Sequence, residues 1–270
     1  MKITFLGGGN MANALIGGLV GKGFAAGDIG VIELSAEGRR RLADNYGVRT
    51  ADAADADMLD CDVVVLAVKP QQMKAAVAPL LPYLRRQLIV SIAAGLRLAD
   101  LSRWLGGHRQ LVRTMPNTPA LIAAGVTGLC ALPEVDDAGR ARAETILQAV
   151  GTTVWIEDEA QMDAVTAVSG SGPAYVFLFI EALQQAGESL GFTPEQARQL
   201  AIDTALGAAK LAAQSAEPAS VLRERVTSKG GTTEAALKTM AERGVLDGIV
   251  AGVKAADARG RALGAELGRD

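Results

Sequence analysis

The sequence predicts an α/β protein, with a doubly wound parallel sheet in its N-terminal half and only helices in its C-terminal half. Three observations carry this. Short β-branched runs alternate with helical patterns up to Ile156. A glycine-rich turn, Gly7-Gly8-Gly9, follows the first run. Beyond Glu157 no strand-like run appears, and alanine- and leucine-rich stretches take over, broken by Gly172-Pro173, Gly191, Pro194, Pro218, Gly230-Gly231 and Gly244. Strands that alternate with helices imply a parallel sheet with right-handed crossovers. The expected division is residues 1–157 and residues 158–270, joined at an exposed acidic hinge, Glu157-Asp158-Glu159.

Taken in order, Ile3-Thr4-Phe5-Leu6 is the first strand. Met11, Leu15, Ile16 and Leu19 recur at helical spacing behind it. Ile29 to Leu34 is a second strand, and Arg39 to Tyr46 a helix that Gly47 stops. Asp62 to Val68 is continuous and β-branched, as in a strand buried on both faces. Leu88 to Ile92, Leu111 to Thr114, Gly125 to Ala131 and Thr152 to Ile156 complete the strands.

Composition narrows the function. In 270 residues, 49% are hydrophobic and 21% charged, as in ordinary globular proteins. A net charge of −3 offers no basic field for nucleic acid or an anionic membrane. Two cysteines, Cys61 and Cys130, make no disulfide scaffold and suit a reducing compartment. A single histidine, His108, disfavours a histidine triad or a histidine-ligated metal, and no metal site is expected. The longest apolar run, Ala174 to Ile180, falls well short of the ~18 residues of a membrane span. No targeting segment is read at the N-terminus, so the expected location is the cytoplasm.

The residues that carry chemistry start at the first turn. Gly7-Gly8-Gly9-Asn10-Met11-Ala12 fits Gly-x-Gly-x-x-Ala between a strand and a helix, the dinucleotide-binding pattern of a Rossmann-type domain. Gly7 permits the tight turn, Gly9 lets backbone approach a pyrophosphate, and Ala12 keeps the helix close to the strand. The helix start offers free N–H groups to the phosphates. Glu33 ends the second strand, where an acid accepts from the adenosine ribose hydroxyls and points to NAD. Ser35, Arg39, Arg40 and Arg41 follow and could meet a phosphate, although the arginines read more simply as a solvated helix face.

Lys69 at a strand tip is either structural or a neighbour of phosphate or substrate, and Asn117 in Met115-Pro116-Asn117-Thr118 is expected to contact the cofactor. Thr227-Ser228-Lys229-Gly230-Gly231-Thr232-Thr233, just before a helix, reads as a site for a small anion such as a carboxylate, or as a plain capped turn. Cys61, Cys130, Trp104 and Trp155 read as packing residues, and Tyr175, Phe177 and Phe179 as core or dimer contact.

These segments together resemble the pyrroline-5-carboxylate reductases, which make proline. The resemblance lies in Phe5 to Ala12, Ala67 to Gln71, Ser91 to Gly95, Met115 to Pro119, Ala164 to Tyr175 and Val226 to Leu237, in family order, with the last two the most discriminating. It implies an NADP(H)-dependent oxidoreductase acting on a C=N bond, with NAD(H) left open. It also implies a helical domain that dimerises, possible assembly of dimers into rings, and an active site between nucleotide domain and dimer helices. By this resemblance Leu6, Gly7, Gly8, Gly9, Asn10, Met11, Ser35, Ala67, Val68, Lys69, Pro70, Ala93, Ala94 and Gly95 line the dinucleotide site. Thr166, Ser228, Gly231, Thr232 and Thr233 line the substrate site, with the Thr233 hydroxyl at the ring nitrogen as the catalytic group. One departure stands out. The family often has Asn-Arg-Ser after the second strand, and this chain has Glu33-Leu34-Ser35. The rival readings are a β-hydroxyacid dehydrogenase, a deazaflavin-linked NADP reductase and a non-catalytic dinucleotide sensor. The Ser228–Thr233 segment argues against all three.

Overall fold

The computed structural model describes residues 1–269. The chain divides into two compact units: Met1–Ser171 together with the chain from Ala256 onward, and Gly172–Ala255.

The first unit is built on an eight-stranded sheet of order β3-β2-β1-β4-β5-β6-β7-β8. The strands are β1 (Ile3–Leu6), β2 (Ile29–Ile32), β3 (Arg49–Ala51), β4 (Val63–Leu66), β5 (Leu88–Ser91), β6 (Leu111–Met115), β7 (Gly125–Ala131) and β8 (Gly151–Trp155). β1 sits between β2 and β4, with Ile3 opposite Ile29 on one side and Val63 on the other. The four residues of β4 are fully buried, as a continuous β-branched run requires when helices cover both faces. The covering helices are α1 (Asn10–Gly21), α2 (Ala36–Tyr46), α3 (Met73–Val77), α4 (Leu98–Trp104) and α5 (Asp137–Leu147). Leu15, Ile16 and Leu19 of α1 pack with Phe5, Val31 and Val65 in one core; Val64, Ile89, Met73 and Leu101 pack in the other. Gly47, at φ +69°, ends α2 in the left-handed region, as the sequence predicts.

One expectation is corrected here: the sheet is not wholly parallel. β7 runs antiparallel to β6. The connection holds only a short helical turn, Thr118–Ile122, and a parallel return needs a crossover of roughly a dozen residues or more. β8 is parallel to β7 because α5 lies between them. Edge strand β3 escaped the sequence reading, since Arg49-Thr50-Ala51 carries no apolar run.

The chain also divides later than expected, at Ser171 rather than Glu157. Glu157-Asp158-Glu159 is no loose hinge. Asp158 Oδ1 accepts from Ala160 N at 2.9 Å. Glu159 Oε1 accepts from Arg113 Nη1 at 3.1 Å and from Leu98 N, at the start of α4, at 2.7 Å. The other arm of the buried Arg113 donates to Asp163 Oδ1 at 3.0 Å. Removing Arg113 would strand two carboxylates in an enclosed place, a loss of about 3–5 kcal/mol. This ion triad ties α6 (Met162–Val165) and its π-helical continuation, Thr166–Gly170, to the sheet.

The second unit holds α7 (Gly172–Ser189), α8 (Pro194–Gln214), α9 (Ala219–Arg225), α10 (Thr232–Glu242) and the first part of α11 (Val245–Leu267). Thr193 and Gln196 form a capping box at the start of α8, and Gly187 lets α7 pass close to Ala197. Only Ala197 and Ala201 are buried among this unit's described residues. Phe177 is 64% exposed and Leu178 66%, with Phe179, Leu206 and Ile249 also exposed. By length and composition, the helical stretch Glu159–Ser189 would also pass for a membrane span, which the sequence reading did not foresee.

Candidate active site: two backbone cradles

The first cradle lies at the carboxyl ends of β1, β2 and β4, where the strand order reverses and open α/β sheets bind ligands. Gly7 N donates to Ile32 O, and Ala67 N to Leu6 O, which clamps the two loops side by side. Gly7 has φ +98°, and a Cβ there would come 2.9 Å from both Ala67 O and Val68 Cγ1. Gly9 is different. Its φ of −70° suits any residue, and a Cβ would meet nothing within 4 Å. It precedes α1 as a cap with no side chain to satisfy the helix's first N–H groups. The glycine thus keeps room for something outside the chain, and a pyrophosphate fits that donor set. Ala12, 1% exposed, holds α1 against the sheet.

A cleft of about 600 Å³ continues from the turn, lined by Gly7, Glu33, Leu34, Asp52, Val68 and Gln72 among others. Glu33 stands just past β2. Its Oε2 accepts from Gly8 N at 2.8 Å and its Oε1 from Ser35 N at 2.8 Å. Ser35 caps α2 through Gly38 N at 3.2 Å, a role the sequence reading did not give it. Lys69 is exposed at the tip of β4, beside Pro70, which opens a short helical turn. Asn10 and Met11 begin α1. Ala93, Ala94 and Gly95 follow β5; Gly95, at φ +79°, lies against Leu267 and Gly264 of α11.

Asn117 has a structural role that the sequence did not predict. Its Oδ1 accepts from Val126 N at 3.0 Å and its Nδ2 donates to Ser169 O at 3.2 Å. The buried amide is a brace between two backbone segments, and both its ends are engaged. Thr166 belongs to this unit, its hydroxyl donating to Met162 O at 3.0 Å. Met115 and Gly170 meet closely here, a Cβ on the glycine coming 2.6 Å from Met115 Cε.

The second cradle, in the other unit, is the start of α10. Gly230 has φ +75°, Gly231 N donates to Ser228 O at 3.0 Å, and Gly231 caps the helix with no side chain to satisfy it. A Cβ on Gly231 would press to 3.0 Å from Ser228 O. The first intrahelical bond is Ala235 N to Gly231 O. The N–H groups of Thr232, Thr233 and Glu234 therefore have no acceptor within the helix, and Thr232 and Thr233 add two hydroxyls to the same first turn. Glu234, which the sequence reading missed, reaches back so that its Oε2 accepts from Gly230 N at 2.7 Å. Its signal was its place in the first helical turn after Gly-Gly.

The other singled-out residues lie apart from both cradles. His108 Nε2 sits 2.8 Å from Gln87 O, near the opposite strand ends. Burial pushes the Cys61 and Cys130 thiols above their ordinary pKa, which leaves them poor nucleophiles near neutral pH. Trp104 is buried, and Arg140 stacks 4.8 Å over the Trp155 ring.

Comparison with known proteins agrees with both halves. Residues 159–263 match the model described as pyrroline-5-carboxylate reductase dimerisation, and residues 2–95 the one described as coenzyme F420-dependent NADP oxidoreductase. A curated pyrroline-5-carboxylate reductase from Pseudomonas aeruginosa is 47% identical over 99% of this chain and 98% of its own. The chain belongs to the pyrroline-5-carboxylate reductase family. The Escherichia coli member is 36% identical over 92% of this chain and 93% of its own. A solved member from Coxiella burnetii superposes with a TM-score of 0.92 at 41% identity, covering 97% of this chain and 98% of that one. One from Plasmodium falciparum, solved with NADP bound, gives 0.86 at 29% identity, covering 98% of both chains. The deazaflavin-linked alternative thus holds only as a likeness of the nucleotide-binding half.

Proposed function

We infer that the chain reduces the cyclic imine 1-pyrroline-5-carboxylate to L-proline, the closing step of proline synthesis. The observation that carries this is the full-length match to the Pseudomonas aeruginosa reductase, which spans both cradles. NADP(H) is the donor class that the comparisons support. When bound, the dihydronicotinamide supplies a hydride to the C=N carbon of the imine, which becomes C5 of the product proline. The residues of the first cradle that would hold it are the Gly7–Met11 turn, Glu33, the Ala67–Pro70 loop and the Ala93–Gly95 loop.

The chain's own work is binding and orientation. The first-turn N–H groups of Thr232 and Thr233 bind the substrate carboxylate, helped by the positive end of α10. The Thr233 hydroxyl sits at the ring nitrogen, where it can donate or accept and so orients the imine and its proton. A protonated imine is already electrophilic, so positioning supplies most of the catalysis. Thr166 contributes to the same pocket. The second unit's exposed apolar helices suit a homodimer, extending to a ring of dimers, and the working location is the cytoplasm.

A spectrophotometric assay of dihydronicotinamide loss with 1-pyrroline-5-carboxylate tests this. Wild type should turn over, and Thr233→Ala should lose tenfold or more in kcat/KM, as expected for one hydrogen bond to a charged group at about 1.5–3 kcal/mol. Unchanged kinetics in a folded variant would remove Thr233 from the site, and no imine-dependent turnover in wild type would remove the function.

A further inference from the structure

We propose that this chain binds NADH more tightly than NADPH, and that Glu33 makes the selection. The proposal rests on the nucleotide-binding reading of the first cradle but not on the imine chemistry. The glycine turn accommodates a dinucleotide; the extra 2′-phosphate of NADP(H) is the one part that its surroundings do not suit.

Glu33 holds a fixed negative charge on the rim of the adenosine cleft. Both carboxylate oxygens are pinned at 2.8 Å, by Gly8 N and Ser35 N. Each oxygen keeps lone pairs, so the carboxylate still accepts from a ribose hydroxyl. A phosphate there would add about −1.5 to −2 charges and needs donors instead.

Most nearby donors are committed elsewhere. Ser35 N–H is spent on Glu33 itself. Ser35 Oγ accepts from Gly38 N as the helix cap, so its O–H is the one uncharged side-chain donor left beside Glu33. Arg39 Nη1 donates to Glu33 O at 2.7 Å and Leu34 O at 2.9 Å, while its Nη2 lies 3.7 Å from Asp52. Arg40 and Arg41 are turned by about 100° and 200° around α2 from Arg39. Leu34, 85% exposed, puts an apolar side chain on the rim. Asp52 lines the same cleft, and Glu37 sits in the first turn of α2. The rim is therefore acidic and short of free donors, which favours a ribose diol over a phosphate dianion.

Direct titration of the purified protein with NADH and with NADPH, without imine, reads the outcome by protein fluorescence or calorimetry. The expected result is an NADPH Kd at least tenfold weaker in wild type. Glu33→Gln removes the charge at nearly constant shape and should bring the two Kd values to within about threefold. Leu34→Arg leaves Glu33 and its hydrogen bonds in place and should tighten NADPH alone. Equal or tighter NADPH binding by wild type overturns the proposal. So does an unchanged ratio in Glu33→Gln, and if that variant does not fold, an unchanged ratio in Leu34→Arg does so. Failure to bind either dinucleotide would instead overturn the nucleotide-binding reading beneath it.

Discussion

Gly7 and Gly9 stand two residues apart and are glycine for opposite reasons. Gly7 is required by the protein itself, through its positive φ and its contact with Ala67 O. Gly9 is required by nothing in the chain. Gly7→Ala should therefore cost about 2 kcal/mol or more in a denaturant melt. Gly9→Ala should melt like wild type yet bind the dinucleotide about tenfold more weakly or worse, since forcing a methyl group into a packed contact costs about 1–3 kcal/mol. A Gly9→Ala protein that binds normally would show that no pyrophosphate lies there. Both glycines were legible in the sequence because their pattern encodes backbone geometry. The hydrogen bond from Gly8 N to Glu33 was not, because it joins residues 25 apart and depends on where the turn after β2 ends.

Among the elements, strands and helix caps were readable where a side-chain pattern sets them. The buried runs of β1, β4 and β5 and the stop at Gly47 are of this kind. The antiparallel β7 was not readable, because strand direction depends on connection length and on what braces the turn. Asn117 is that brace, linking the β6–β7 connection to the π-helical turn. Asn117→Ala should cost about 1–3 kcal/mol in stability, through two backbone groups left without a partner, and leave the dinucleotide Kd within twofold. Full stability with weakened binding would instead return Asn117 to the cofactor contact that the sequence implied. Likewise Glu159 looked like part of a free acidic hinge, and only its pairing with Arg113 shows why the segment follows the sheet.

At the scale of the whole molecule, the second unit buries too little to stand as a core of its own. Exposed apolar side chains ring α7 from Val176 to Phe179 and call for a second chain, in keeping with a family whose matched region is named for dimerisation. Light scattering should give at least twice the chain mass. Phe177→Asp combined with Phe179→Asp should shift the protein toward single chains and remove reductase activity; a monomeric, active wild type would overturn this reading. The sequence motifs located both cradles but left open whether the aromatic cluster was core or interface, because exposure is a property of the assembled fold.

The central claim is that a hydride passes from a dihydronicotinamide to the C=N carbon of a small cyclic imino acid, the carbon that becomes C5 of proline. The most direct measurement is isotope transfer: incubate the protein and 1-pyrroline-5-carboxylate with dihydronicotinamide dinucleotide carrying deuterium in both C4 positions, and analyse the product by mass spectrometry and NMR. The account predicts L-proline carrying one deuterium, at C5. Proline without deuterium, deuterium at another carbon, or no proline at all would contradict it.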